Sequence, residues 1–157
     1  MKVKLFGIKD FEKSYFIDEN NGVNNLYFEG RRLNKSSLDL ISDLDIIIVS
    51  HSDKVCSQVI EHLAKNGIKY VGTRSKGYDN INIEKANEYG IRVANVPDYS
   101  PYSVAEHAIM LLLALIRKFK AGQLLIESND FRLDKVVGVD LFGKEVGIIG
   151  FGKIGQA

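Results

Sequence analysis

The strongest constraint on the fold is a run of β-branched residues with no polar alternation. The segment "DIIIVS", residues 45–50, places three isoleucines and a valine in succession. Such a run is typical of a strand that is covered on both faces, as in the centre of a parallel sheet, because a sheet with one wet face shows alternating polar residues. The run therefore predicts the central strand of an α/β domain whose sheet has helices on both sides.

Strand-like and helix-like segments alternate through the first hundred residues. Two helices are predicted between strands: one carries Val55, Val59, Ile60 and Leu63 at helical spacing, and the other spans residues 82–90. Asn82 is expected to cap the second helix and Gly90 to end it. Strands are predicted in the segments 2–8, 25–30, 45–50, 67–73 and 91–97. This alternation predicts a doubly wound parallel sheet.

The next element is a long apolar helix within "YSPYSVAEHAIMLLLALIRKFKAG". Ser103 and Glu106 have the spacing of a capping box, and Pro101 suits the entry to a helix. These signals predict one unbroken helix from Tyr102 to Lys120, followed by Gly122. The middle of this helix is apolar on every face, so we expect it to be covered all round.

Composition excludes several classes of partner and location. A formal charge of +1 on 157 residues gives no broad attraction to nucleic acid or anionic membrane. The longest apolar run, residues 108–116, falls short of the ~20 residues that span a bilayer.

The single cysteine, Cys56, cannot form an internal disulfide and is expected to be a small core residue. The N-terminus lacks a signal-peptide pattern. His51 and His62 have no second ligand at metal spacing. A cytoplasmic protein with a small-molecule partner and no metal is expected.

At the end of the sequence, a glycine-spaced turn follows a predicted strand, residues 145–149. Gly150, Gly152 and Gly155, with Lys153 and Ile154 between them, match the dinucleotide fingerprint G-x-G-x-x-G. The first glycine permits a tight turn, the second lets backbone approach a pyrophosphate, and the third lets the helix pack closely against the strand. On the motif alone, a glycine-rich turn without a ligand is about as consistent with the sequence.

Two longer stretches identify a family. Residues 73–115, "TRSKGYDNINIEKANEYGIRVANVPDYSPYSVAEHAIMLLLAL", and residues 129–157, "NDFRLDKVVGVDLFGKEVGIIGFGKIGQA", resemble the NAD-dependent D-2-hydroxyacid dehydrogenases, and most of all the fermentative D-lactate dehydrogenases. The resemblance implies a flavodoxin-like substrate domain over residues 1–99, an interdomain helix over 100–122, and the beginning of a truncated Rossmann domain over 123–157. It also implies NAD as cofactor, a small 2-keto or 2-hydroxy acid as substrate, and a homodimer or higher homo-oligomer.

The same resemblance assigns roles to individual residues. The backbone N–H groups of Lys76 and Gly77 would hold the substrate carboxylate, and Tyr99 would line the substrate pocket. Val104 would pack near the nicotinamide, and residues 150–155 would bind the cofactor. Without the resemblance, the same residues are a solvated turn with Gly77 at positive φ, a packed aromatic side chain, and a core contact in a first helical turn.

The resemblance assigns no catalytic residue to this sequence, because the family's catalytic arginine, glutamate and histidine would lie beyond residue 157. Ser50 and His51 also depart from the aromatic residue that fermentative D-lactate dehydrogenases commonly place there. The leading interpretation is an N-terminal part of an enzyme that reduces pyruvate with NADH. The alternative is a non-catalytic flavodoxin-like module for interaction or small-ligand binding. A phospho-receiver is less consistent, because Ser50 and His51 stand where its acceptor aspartate is expected.

Overall fold

The computed structural model describes all 157 residues, which form two compact units, Met1–Tyr99 and Ser100–Ala157. The first unit is built on five strands, all parallel, in the spatial order β2-β1-β3-β4-β5. This order confirms the predicted doubly wound sheet and places a topological switch point between β1 and β3. The strands are β1 (Lys2–Phe6), β2 (Asn25–Glu29), β3 (Ile46–Val49), β4 (Tyr70–Thr73) and β5 (Arg92–Ala94).

The isoleucine run forms β3, the middle strand, and both faces of this strand are covered. Ile47 and Val49 are fully buried in the larger apolar cluster, which includes residues of α2. Ile46 and Ile48 pack against the smaller cluster of Val3, Leu5 and Ile8. Because successive side chains of a strand point to opposite faces, these contacts place one cluster on each side of the sheet. The prediction of a strand covered on both faces is confirmed.

Both predicted helices of this unit form. Helix α2 (Ser57–Lys65) buries Val59, Ile60 and Leu63, and Cys56 precedes it, half-buried against the same core. In α3 (Ile83–Glu88), the Asn82 side chain accepts a hydrogen bond from the Lys85 backbone N–H at 2.8 Å, as predicted. A short 3₁₀ helix spans Lys35–Leu40.

Helix α1 (Asp10–Asn20) was not predicted from the sequence. None of its residues is buried, so its sequence carries no apolar stripe for a periodicity argument to detect. Its ends are fixed locally: the Glu12 carboxylate accepts a hydrogen bond from the Lys9 backbone N–H at 2.7 Å, and Asn21 adopts a left-handed φ of 45°. These two local features mark where the helix begins and ends.

The second unit contains α4 (Pro101–Ile116), α5 (Phe119–Glu127), a 3₁₀ turn (Leu133–Lys135) and α6 (Lys153–Gln156). The predicted unbroken helix from Tyr102 to Lys120 is wrong, because Lys118 adopts a left-handed φ of 51° between α4 and α5. The reason is a competing hydrogen bond: the Ile116 carbonyl accepts from the Val139 N–H at 2.9 Å. An unbroken helix would need that carbonyl for Lys120.

Close approach of a distant segment makes this break possible. A Cβ added to Gly138 would lie 2.7 Å from the Ile116 oxygen, so only glycine lets residues 138–139 reach the end of α4. Arg117 adds an ion pair to Asp140 at 2.7 Å. Helix α4 is therefore ended by contacts with residues at least 22 positions further along the chain. No glycine or proline beside Ile116 signals this end.

Two further expectations for this unit are wrong. Helix α4 begins at Pro101, with Ser100 as the preceding cap residue, so Ser103 lies inside the first turn and forms no capping box with Glu106. The predicted strand over residues 145–149 does not form. A strand needs a neighbour to satisfy its backbone groups, and none pairs with this segment, whose Ile149 side chain is completely exposed.

Helix α4 leaves much of its apolar surface uncovered in this chain. No residue from 100 to 157 is buried, and Leu115 of α4 is 76% exposed. Within this unit, α4 lines an apolar cavity of about 1130 Å³ together with Val146, Ile148 and residues 154–157. None of the helices has both the length and the apolar character needed to cross a membrane.

Candidate functional site

The loop that follows β4, residues 74–80, presents two adjacent backbone donors at the carboxyl edge of the sheet and is called the β4 loop below. Lys76 and Gly77 are exposed, and their N–H groups donate to no acceptor in the protein. Their carbonyls are used: the Asn95 side chain donates to the Lys76 oxygen at 2.8 Å, and the Ser75 hydroxyl donates to the Gly77 oxygen at 2.7 Å. Consecutive free N–H groups with their carbonyls held elsewhere can bind an anionic oxygen.

Gly77 does not occupy a backbone conformation that requires glycine. It is absent from the residues with positive φ, so the alternative interpretation of a turn with Gly77 at positive φ is wrong. A Cβ at this position would lie 3.8 Å from the Asp79 carboxylate, which is an ordinary contact. The protein itself therefore has room for a methyl group at Gly77, which makes alanine at this position usable as a control.

Tyr99 ends the segment that leaves β5 beside this loop. The Val96 N–H donates to the Ser75 carbonyl at 3.2 Å, and Asn95 binds Lys76 as described above. The Tyr99 side chain is 55% exposed and makes no hydrogen bond to the loop. Residues 95 and 96, which precede Tyr99 in the chain, therefore lie beside Ser75 and Lys76. A role for the Tyr99 phenol stays a prediction.

A buried carboxylate at the switch point was missed by the sequence analysis. Asp53 is 1% exposed, and its two oxygens accept hydrogen bonds from the backbone N–H groups of Leu33 at 2.6 Å and Ser50 at 2.5 Å. A Cβ at Gly7, whose φ is 59°, would lie 3.6 Å from the same carboxylate. Asp53 therefore occupies the crevice between β1 and β3 where open α/β sheets commonly bind ligands. The only sequence signal is an aspartate in a polar turn directly after a strand.

Asn80 fixes the far end of the β4 loop to the same network. Its side-chain amide donates to the carbonyls of Ser50 and Asp53, both at 3.0 Å, and its own carbonyl accepts from the Val55 N–H at 2.9 Å. The loop is therefore held at both ends, and its central N–H groups stay free. A cavity of about 690 Å³ opens beside Asn80, and its lining includes Arg32, His51 and Asp79. No group of three or more His, Cys, Asp or Glu side chains could hold a metal ion.

The glycine motif of the second unit contains two positions that require glycine. Gly150 has a φ of 98°, and a Cβ at Gly155 would lie 2.2 Å from the Gly150 carbonyl oxygen. Gly152 differs, because its φ is −80° and a Cβ there would meet nothing within 4 Å. Open space at Gly152 is what close approach of a ligand to the backbone would need.

The remaining cofactor candidates lie on helices of the same unit. Lys153 and Ile154 are the first residues of α6, and Val104 lies in the first turns of α4 with 39% of its surface exposed. These side chains are accessible, and their contacts with a nicotinamide cofactor stay predictions.

Comparison with known proteins defines the class. Residues 7–150 match the family described as D-isomer specific 2-hydroxyacid dehydrogenase, catalytic domain. A 2-hydroxyacid dehydrogenase homolog of Schizosaccharomyces pombe is 36% identical over 157 residues, which are 99% of this chain and 47% of that protein. The apo structure of Escherichia coli D-lactate dehydrogenase superposes with a TM-score of 0.90 at 31% identity, covering 99% of this chain and 49% of that one.

A second similar structure is Aquifex aeolicus D-lactate dehydrogenase complexed with NAD and lactic acid. Its TM-score is 0.79 at 25% identity, and the match covers 98% of this chain and 46% of that one. The chain spans about half the length of the curated relatives it matches. The chain belongs to the D-isomer specific 2-hydroxyacid dehydrogenases, a family of oxidoreductases.

Proposed function

We propose that this chain is the N-terminal part of an NAD-dependent D-2-hydroxyacid dehydrogenase that interconverts D-lactate and pyruvate. The observation that carries the proposal is the pair of acceptor-free N–H groups at Lys76 and Gly77, at the carboxyl edge of a sheet that belongs to this family. The proposed enzyme is cytoplasmic and a homodimer or higher homo-oligomer. The proposed domain limits are residues 1–99, 100–122 and 123–157.

The first role of this chain is to hold the substrate carboxylate. Each N–H of Lys76 and Gly77 donates to a carboxylate oxygen, and a hydrogen bond to a charged group contributes about 1.5–3 kcal/mol. Backbone donors need no charged side chain, so the Lys76 ammonium group is dispensable for this contact. Tyr99 would line the substrate pocket, and its phenol would donate a further hydrogen bond to the acid.

The second role is to hold the cofactor. Gly150, Gly152 and Gly155 would take the pyrophosphate against the backbone, with Lys153 and Ile154 in the adjoining turn and Val104 against the nicotinamide. The conformation at Gly150 and the open space at Gly152 support this assignment. When bound, the cofactor supplies or accepts the hydride. The proton donor and the substrate-binding arginine of the family have no counterpart assigned within residues 1–157.

Substitution of Gly152 separates a cofactor site from a bare glycine turn. Gly152→Ala is expected to leave the free protein unchanged, because its Cβ meets no protein atom within 4 Å, but to raise KM for NADH by about tenfold, since the methyl occupies space needed by the pyrophosphate. Gly147→Ala, which also meets no atom within 4 Å, is the matched control. Equal KM values for NADH in both variants would remove Gly152 from the cofactor site.

The direct experiment measures NADH oxidation in the presence of pyruvate by an enzyme that contains this chain, followed at the reduced-nicotinamide absorbance. We expect turnover with pyruvate, and D-lactate but not L-lactate should be oxidised with NAD. The 157-residue chain by itself, tested in parallel, is expected to give no rate above the blank. Absence of activity toward every 2-keto acid tried would overturn the dehydrogenase proposal and favour the non-catalytic module.

A further inference from the structure

Arg74 connects the candidate substrate loop to two distant elements. It directly follows β4, and its backbone N–H donates to the Val49 carbonyl at the end of β3, at 2.9 Å. Its guanidinium crosses the carboxyl edge of the sheet, where Nη2 donates to the Phe6 carbonyl of β1 at 2.9 Å and Nη1 donates to the Glu12 carboxylate of α1 at 2.5 Å. The residue that begins the loop is thereby bound to the ends of two strands and to one helix.

The Arg74–Glu12 pair is well shielded for an ion pair at a sheet edge. The side chains of Arg74 and Glu12 are only 13% and 27% exposed, and the Nε atom of Arg74 is buried without a hydrogen-bond partner. Glu12 is itself held, because its second oxygen accepts from the Lys9 N–H at 2.7 Å. Side chains that are held in one rotamer by packing and hydrogen bonds also restrict the backbone to which they are attached.

We propose that Arg74 and Glu12 act as positioning residues that orient the N–H groups of Lys76 and Gly77 toward the substrate carboxylate. This inference rests on the proposed function of that loop. Neither side chain touches the substrate. Their contribution is to hold the peptide at residue 74 in one orientation, so that the two donors that follow meet the ligand without first being ordered.

A second, more exposed arginine–glutamate ion pair provides a control. Arg31 binds Glu29 at the carboxyl end of β2, with Nε 3.3 Å from the carboxylate. The backbone N–H of Arg31 and then its guanidinium hold the pKa of Glu29 below its ordinary value. Arg31 makes no hydrogen bond or ion pair with the β4 loop, so its replacement tests the loss of an ion pair without loss of the positioning contact.

The experiment compares Arg74→Met, Arg74→Lys and Glu12→Gln with Arg31→Met in an active enzyme that contains this chain. We expect Arg74→Met to raise KM for the 2-keto acid about tenfold, with kcat and KM for NADH changed less than about twofold, because only ground-state positioning of the carboxylate is lost. Arg74→Lys should recover part of this loss, and Arg31→Met should leave KM unchanged. Thermal unfolding is measured for every variant, and kinetics are recorded well below the lowest transition.

A spectroscopic measurement covers the case in which Arg74→Met does not fold. Glu12→Gln keeps the shape of the side chain, and it should shift the amide ¹⁵N–¹H resonances of Lys76 and Gly77 in the 157-residue chain without added ligand, whereas Arg31→Met should not. Unchanged KM values and unchanged resonances in folded variants would overturn the positioning role. If the wild-type enzyme itself reduces no 2-keto acid, the proposed function fails, and the resonances still decide whether the pair orients the loop.

Discussion

Replacing Gly77 by proline is expected to lower kcat/KM for the 2-keto acid by about 100-fold in an active enzyme that contains this chain. Proline removes the N–H group that has no acceptor within the protein, and it restricts the backbone of Lys76 as well. Loss of one hydrogen bond to a carboxylate accounts for about 1.5–3 kcal/mol, which is roughly a 10- to 100-fold effect, and misplacement of the second donor adds to it.

Two substitutions provide the controls for this prediction. Gly77→Ala keeps the N–H group and places its Cβ 3.8 Å from the Asp79 carboxylate, and Lys76→Ala keeps both N–H groups while removing the ammonium group. Both should stay within about threefold of the wild type in KM, because the donors are backbone atoms. A folded Gly77→Pro enzyme with wild-type kinetics would remove the carboxylate-binding role from this loop.

The parts of the fold that the sequence predicted correctly are those whose signals are local. The isoleucine run at 45–50 indicated a strand covered on both faces, and the helical spacing of Val59, Ile60 and Leu63 indicated α2. The break after α4 could not be predicted in this way, because the Ile116 carbonyl is taken by Val139, which is 23 residues further along the chain. Local propensity gave no indication of that competition.

The same distinction applies to the candidate site. Lys76, Gly77 and the glycine turn could be proposed from the sequence because each lies in a short motif of a recognisable family. The hydrogen-bond network that holds the β4 loop could not be predicted from the sequence, because its bonds join residues that are far apart along the chain. Asp53 binds Leu33 across 20 positions, and Arg74 binds Glu12 across 62. A polar residue whose partners are distant has no periodic or motif signal, so only the folded arrangement identifies it.

Because the first unit has a buried core and the second has no buried residue, a leucine-to-alanine substitution is expected to lower the free energy of unfolding by very different amounts in the two units. Leu63 of α2 is fully buried in the larger apolar cluster, whereas Leu115 of α4 is 76% exposed. Leu63→Ala should lower the free energy of unfolding of the first unit by about 2–5 kcal/mol, because it loses both transfer free energy and packing around the resulting cavity. Leu115→Ala leaves no cavity and should change stability by less than about 0.5 kcal/mol.

The measurement is urea unfolding of the 157-residue chain, followed through methyl resonances of each unit separately, because one transition cannot be assumed for two units. Both substitutions replace leucine by alanine in a helix, so intrinsic helix propensity changes equally and favours neither.

Repeating the titration over a range of protein concentrations tests the exposed face of α4. If Leu115→Ala proves as costly as Leu63→Ala only at high concentration, α4 is being covered by a second copy of the chain, which supports the proposed homo-oligomer. A large cost for Leu115→Ala that does not depend on concentration would contradict the exposure of α4, and a small cost for Leu63→Ala would contradict the core on which β3 and α2 pack.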